Sequence, residues 1–215
     1  MSRHNRITGF LLIISAITFW LAWFLMPDAG TANTTHILNM VKESRAKVLA
    51  SVIVQIISCL FYIIVIVRLS QAIFSYKKST ITGITLLGIG AMGMCTNAFF
   101  HLLAYFMTDD TVTIQADIVR VMEFMQTTGV AFLIPLLLPF FIGSIILSID
   151  LQKQKVISKT AMALFIAALF TGISVAIVSN ASQIRVPGMT LLILGIFATG
   201  QAIIGTELIK PIRAL

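Results

Sequence analysis

The chain has 215 residues, of which 58% are hydrophobic and only 11% charged, with a formal net charge of +7. A water-soluble domain carries about 25% charged residues, so a soluble globule with this composition would lack the charge to cover its surface. The excess of basic residues does not point to nucleic acid, because they sit at the ends of apolar stretches and no aromatic-basic patch accompanies them.

Crossing a bilayer core about 30 Å thick takes about 20 mainly apolar residues in helical form. The first stretch that qualifies runs over residues 7–26 and ends at Pro27. Its basic start (Arg3, Arg6) and the small residues 29–32 imitate a secretory leader. The apolar part is longer than the roughly 7–15 residues of such leaders, so a retained helix is expected. Residues 35–46 follow, with Ile37, Met40 and Val41 at helical spacing and Thr34 or Thr35 placed to cap a helix starting near His36. This pattern predicts an amphipathic helix lying at the outer interface, or a solvated extension of the next span.

The second and third spans are predicted over residues 48–67 and 81–107, and the fourth over 121–149. Pro135 and Pro139 in the fourth release backbone carbonyls and should kink it. The fifth and sixth spans cover residues 160–178 and 186–206. Helix is preferred to strand because an isolated strand leaves its backbone unsatisfied in lipid, and no alternating segments of barrel type occur. The expected fold is therefore all-α, an integral membrane bundle of six transmembrane helices forming one domain.

With the N-terminus inside, the cytoplasmic face would carry Arg3, Arg6, Arg68, Lys77, Lys78, Lys153, Lys155, Lys159, Lys210 and Arg213. Lys42, Arg45, Lys47, Arg120 and Arg185 would lie outside. The bias toward positive residues inside places both termini in the cytoplasm.

Small residues mark contact faces, since helices in lipid gain much of their packing energy from close backbone approach. Ala168, Gly172 and Ala176 recur every four residues, with Asn180 continuing the row. Such a face serves internal packing, the favoured reading, or a homo-oligomer. The bilayer is the other expected partner.

Polar side chains inside spans raise a functional question. His101 lies about 9 Å below the outer end of the third span, with Asn97 one turn deeper on the same face. Glu123 and Gln126 open the fourth span at similar depth, and Gln55, Ser58, Cys59 and Cys95 fall within about a turn. Asn97, His101, Glu123 and Gln126 are the binding candidates. They would act as interhelical hydrogen-bonding glue, as a pocket for a small solute or lipid headgroup, or as a His–Glu acid–base pair on a lipid-like substrate. No phosphate-binding loop, metalloprotease motif or serine-nucleophile elbow occurs, and no metal or cofactor is expected. Toward the inner side, Glu207 is spaced to pair with Lys210.

The order of features resembles a bacterial family of multi-pass inner-membrane proteins of unknown function. The residues that carry it are Arg6–Phe10, His36–Asn39 leading through Glu43–Arg45, the Gly129–Leu147 span with Leu136–Leu138, and Gly205–Lys210. The resemblance implies a bundle in the inner (plasma) membrane. It brings no catalytic or binding residue with it. It adds nothing on mechanism, and an intramembrane enzyme acting on a lipid-like substrate or an accessory subunit of a membrane complex stays open beside a binding role.

Overall fold

A computed structural model describes residues 3–27, 34–72, 77–112, 115–182 and 188–209. Eight α-helices run in chain order: α1 (Arg3–Leu25), α2 (Thr34–Glu43), α3 (Arg45–Ala72), α4 (Lys78–Met107), α5 (Gln115–Phe124), α6 (Val130–Lys153), α7 (Lys159–Ser182) and α8 (Met189–Ile209). A π-helical turn, Met125–Gly129, joins α5 to α6. There is no strand among the described residues.

Five helices are long and apolar enough to cross a membrane, over Arg6–Leu25, Arg45–Gln71, Lys78–Met107, Ala131–Lys153 and Met189–Ile209. In α7 the apolar stretch among the described residues is Lys159–Gly172. The outward surface is greasy: Phe132, Phe170 and Met92 are 74%, 65% and 64% exposed. Contiguous apolar surface of this kind needs lipid or another protein against it. The chain is a membrane protein.

The long helices close into a ring in the order α1, α3, α4, α6, α7, α8, with α8 returning to α1. Small residues allow the tightest seams. On α4, a Cβ at Gly90 would fall 2.4 Å from Phe140 Cα, and one at Gly93 would fall 2.5 Å from the Leu136 carbonyl carbon. Where α1 crosses α8, a Cβ on Gly9 would sit 2.5 Å from the Gly205 carbonyl oxygen. The α1–α3 seam is sewn by hydroxyls instead: Ser51 donates to the Ala22 carbonyl (2.6 Å) and Ser58 to that of Ser15 (3.1 Å).

Aromatic rings fill the middle of the ring. Phe140 packs 4.9 Å from Tyr62, 5.7 Å from Phe19 and 5.5 Å from Phe197, and Phe165 lies 4.9 Å from Phe197. Phe140, Phe165 and Phe197 are each about 1% exposed.

At one end, called here the α2 end, α2 and α5 cap α3 and α4 through a second core that includes Leu38, Val41, Val48, Ala104, Met122 and Met125. Arg45 locks this cap. It donates to the Tyr105 carbonyl (3.0 Å), to Thr108 Oγ1 (3.2 Å) and to Asp109 Oδ2 (2.8 Å), and its guanidinium stacks 4.2 Å from the Tyr105 ring centre. The Tyr105 carbonyl belongs to the last turn of α4, where a cation is favoured by the helix dipole.

Acids do the converse at the opposite end. Asp150 Oδ2 accepts from Thr80 Oγ1 (2.8 Å) in the first turn of α4, and Glu207 Oε2 accepts from the Ser158 backbone N–H (2.8 Å) just ahead of α7. Glu207 therefore caps a helix start; the Lys210 proposed for it lies outside the described residues.

Two expectations shift. The amphipathic helix spans Thr34–Glu43 rather than 35–46. The fourth span is helical from Gln115, but its spanning part starts at Ala131, because residues 115–124 bend into the cap. The break in regular hydrogen bonding falls at Met125–Gly129, ahead of Pro135 and Pro139, both of which sit within an unbroken α6.

Candidate functional site

Gln55 on α3 and Asn97 on α4 are 2% and 6% exposed, and His101 lies one turn beyond Asn97 toward the α2 end. Their depth follows from the antiparallel register of α3 and α4. Arg45 bonds to Tyr105 and Thr108, and further along the same seam the thiols of Cys59 and Cys95 face each other. Between those two ties Gln55 and Asn97 come to the same level. Gln55 is two turns from Tyr62 on the buried stripe of α3, about 10 Å along the axis. Asn97 is likewise two turns from Gly90, which touches Phe140. Both amides thus lie on the α2 side of the aromatic cluster.

None of the three side chains forms a hydrogen bond among the described residues. Gln55 Oε1, Asn97 Nδ2 and His101 Nδ1 are buried without a partner. The neighbour of His101 is an aromatic one: Trp23 of α1 packs edge-on against its ring at 5.7 Å. A buried polar atom left unpaired costs about 1–3 kcal/mol, so three in one layer form an energetic debit that a bound polar molecule would offset. The remaining unpartnered buried atoms, Arg68 Nη1 and Gln154 Nε2, belong to the other half of the bundle.

The four residues singled out in the sequence do not assemble. Asn97 and His101 enter the interior. Glu123 is exposed on α5, and the Gln126 side chain, in the π turn, accepts a hydrogen bond from Thr34 of α2 at 3.0 Å. Glu123 therefore offers no carboxylate to His101. Gln55 takes the place that Glu123 and Gln126 were expected to fill. Its signal was present in the row Ser51, Gln55, Ser58, Tyr62, where polar residues recur every three or four positions along one face of an apolar helix.

No protein-family model, no curated protein and no solved structure matches the chain. Function has to be read from the interior itself.

Across the aromatic cluster the chemistry changes. Tyr62 donates its hydroxyl proton to Gln201 Oε1. Beside this pair lies a cavity of about 30 Å³, walled mainly by aliphatic side chains such as Leu12, Leu69 and Leu147, with Ser144 and Ser148 at its edge. Both serine hydroxyls are spent on carbonyls of their own helix, Phe140 and Ile145. Tyr62, Gln201, Ser144 and Ser148 find their partners within the protein; the polar atoms of the Gln55 layer do not. Among the described residues no group of three or more His, Cys, Asp or Glu side chains could hold a metal ion.

Proposed function

We propose that the chain is a six-span protein of the bacterial inner membrane with both termini in the cytoplasm. It holds a small polar solute or a lipid headgroup in its outer half and does not pass it through. One observation carries this reading: a layer of unpartnered buried polar atoms lies about two helical turns to the α2 side of a packed aromatic cluster. The polar layer favours occupancy by something that hydrogen-bonds. The rings of Phe19, Tyr62, Phe140 and Phe197 pack against one another beneath it, which supports holding over passage.

A sixth span is supported by the 24 residues of α7, about 36 Å of helix. Orientation rests on the excess of lysine and arginine at the end opposite α2. The inner membrane is what the resemblance in the sequence implies. The Ala168–Gly172 face is read as an internal seam rather than a homo-oligomer surface. Ala168 is 3% exposed, and a Cβ on Gly172 would meet Ile193 of α8 at 3.8 Å. The side chain of Ala176 lies outside the described set.

Cysteine accessibility tests the reading. In a Cys59→Ala/Cys95→Ala background, His101→Cys should react with a small, uncharged, strongly polar and membrane-impermeant thiol reagent added to the outside of intact cells. Ser144→Cys, beyond the aromatic cluster, should stay unmodified. Protection of position 101 while Thr111→Cys reacts would overturn it.

A second reading, an accessory subunit, is favoured by a lipid-facing groove of about 670 Å³ between α1 and α7, floored by Gly195, Ala198 and Ala202 of α8 and walled by Trp20. A partner helix would fit such a small-residue floor. Intramembrane catalysis has less support, because the acid expected beside His101 is on the surface.

A further inference from the structure

We infer that the molecule held in the outer half is small and electrically neutral, and presents hydrogen-bond donor and acceptor groups together, as a primary amide, a urea or a polyol does. The inference deepens the binding reading above and rests on it. It begins with what the walls offer. Gln55 and Asn97 are amides, each with one carbonyl acceptor and one NH2 donor, whichever way the amide is turned. His101 adds a ring nitrogen. A bare cation would leave the NH2 groups unmatched, and a phosphate would leave the carbonyls facing negative oxygens. A molecule bearing both kinds of group satisfies all three side chains.

Charge points the same way. Apart from His101, the cysteines and Tyr62, Asp150 is the one ionisable side chain that is buried among the described residues, and it lies at the far end of the bundle, bonded to Thr80. Of the charged residues near the α2 end, Arg45 is committed to Asp109, Lys42 sits 3.5 Å from Asp110 at the surface, and Glu123 is exposed. An ion entering the Gln55 layer would meet no carboxylate, lysine or arginine beside Gln55, Asn97 and His101, and an uncompensated buried charge is far more costly than a buried neutral polar group. The choline or phosphate part of a lipid headgroup is therefore disfavoured against a neutral solute.

The chain carries its own reporter. Trp23 touches His101, and Trp20 is the other of the two tryptophans, so Trp20→Phe isolates the signal from the site. Full-length Trp20→Phe protein in lipid nanodiscs is titrated with acetamide, inorganic phosphate and choline. Acetamide should change Trp23 emission saturably, phosphate and choline should not, and Asn97→Leu or Gln55→Leu should weaken the acetamide response about tenfold. A comparable thermal unfolding transition in each variant shows that the bundle is intact. A flat acetamide titration overturns the inference, and so does a saturable response to phosphate or choline, or a response unchanged in both leucine variants. If position 101 reacts from outside as a cysteine while acetamide gives nothing, binding in the outer half survives and only the neutral-ligand assignment falls.

Discussion

Gly90 of α4 lies against the backbone of Phe140, so close that a methyl group at position 90 would stand 2.4 Å from the Phe140 Cα. The contact is backbone against backbone, and no side chain can swing away to relieve it. Phe140 is also the ring around which the aromatic cluster is built. The α4–α6 seam and the closed centre of the bundle therefore depend on the same few atoms.

Gly90→Ala should destabilise the protein by about 1–3 kcal/mol or more, as expected for overpacking of a well-filled interior. Gly88→Ala is the matched control, because no atom lies within 4 Å of a Cβ there. Its effect should be neutral or slightly stabilising through helix propensity. Denaturant-induced unfolding in detergent, followed by tryptophan emission, separates the two.

The Arg45–Asp109 tie should weaken in acid. Two hydrogen bonds from Thr111, and then the neighbouring Arg45 guanidinium, hold the Asp109 carboxyl below its ordinary value. A depressed folded-state value means the carboxylate stabilises the fold at neutral pH, and this contribution fades as pH falls through the acid range toward and below about 4. Asp109→Asn should melt earlier than wild type at pH 7, and the gap should close on acidification. A gap that is constant with pH would rule out the carboxylate as its source.

Arg45→Lys should not rescue Arg45→Ala. The arginine reaches a carbonyl, a hydroxyl and a carboxylate at once and stacks on Tyr105, a geometry that a single ammonium cannot reproduce. Both variants should loosen the α2 cap, read as faster amide exchange across Thr34–Glu43.

Glu207→Ala removes the acceptor for the Ser158 N–H at the start of α7 and should cost about 0.5–2 kcal/mol, the range for losing a helix cap. Glu207→Gln keeps an oxygen acceptor but not the charge that favours a helix N-terminus, and should fall between Ala and wild type. A Lys210→Ala variant with the full effect of Glu207→Ala would instead restore the pairing expected from sequence.

The long helices were legible because a run of apolar residues states its own medium. The polar layer was legible in one dimension only. Counting residues from a helix end put His101 and Glu123 at one depth, yet depth says nothing of which way a side chain faces. The π turn at Met125–Gly129 and the bend of residues 115–124 into the cap carry Glu123 to the surface, and neither is encoded by hydropathy. Gln55 was placed within about a turn of this layer by counting, and the register set by Arg45 and Cys59 brings it level with Asn97. The roles of Arg45, Asp150 and Glu207 at helix ends depend on contacts between elements distant in sequence, which spacing along one helix cannot reveal.

Among the described residues the joint between α6 and α7 is the thinnest in the ring, whereas α7 packs well on α8 and is fastened to it near its base by Glu207. A hoop with one slack joint yields at that joint first. Exchange of backbone amides should therefore begin along α7, and strain imposed anywhere on the barrel of helices should be felt as a swing of α7 on α8, like a stave lifting from its neighbour while the others keep their hold.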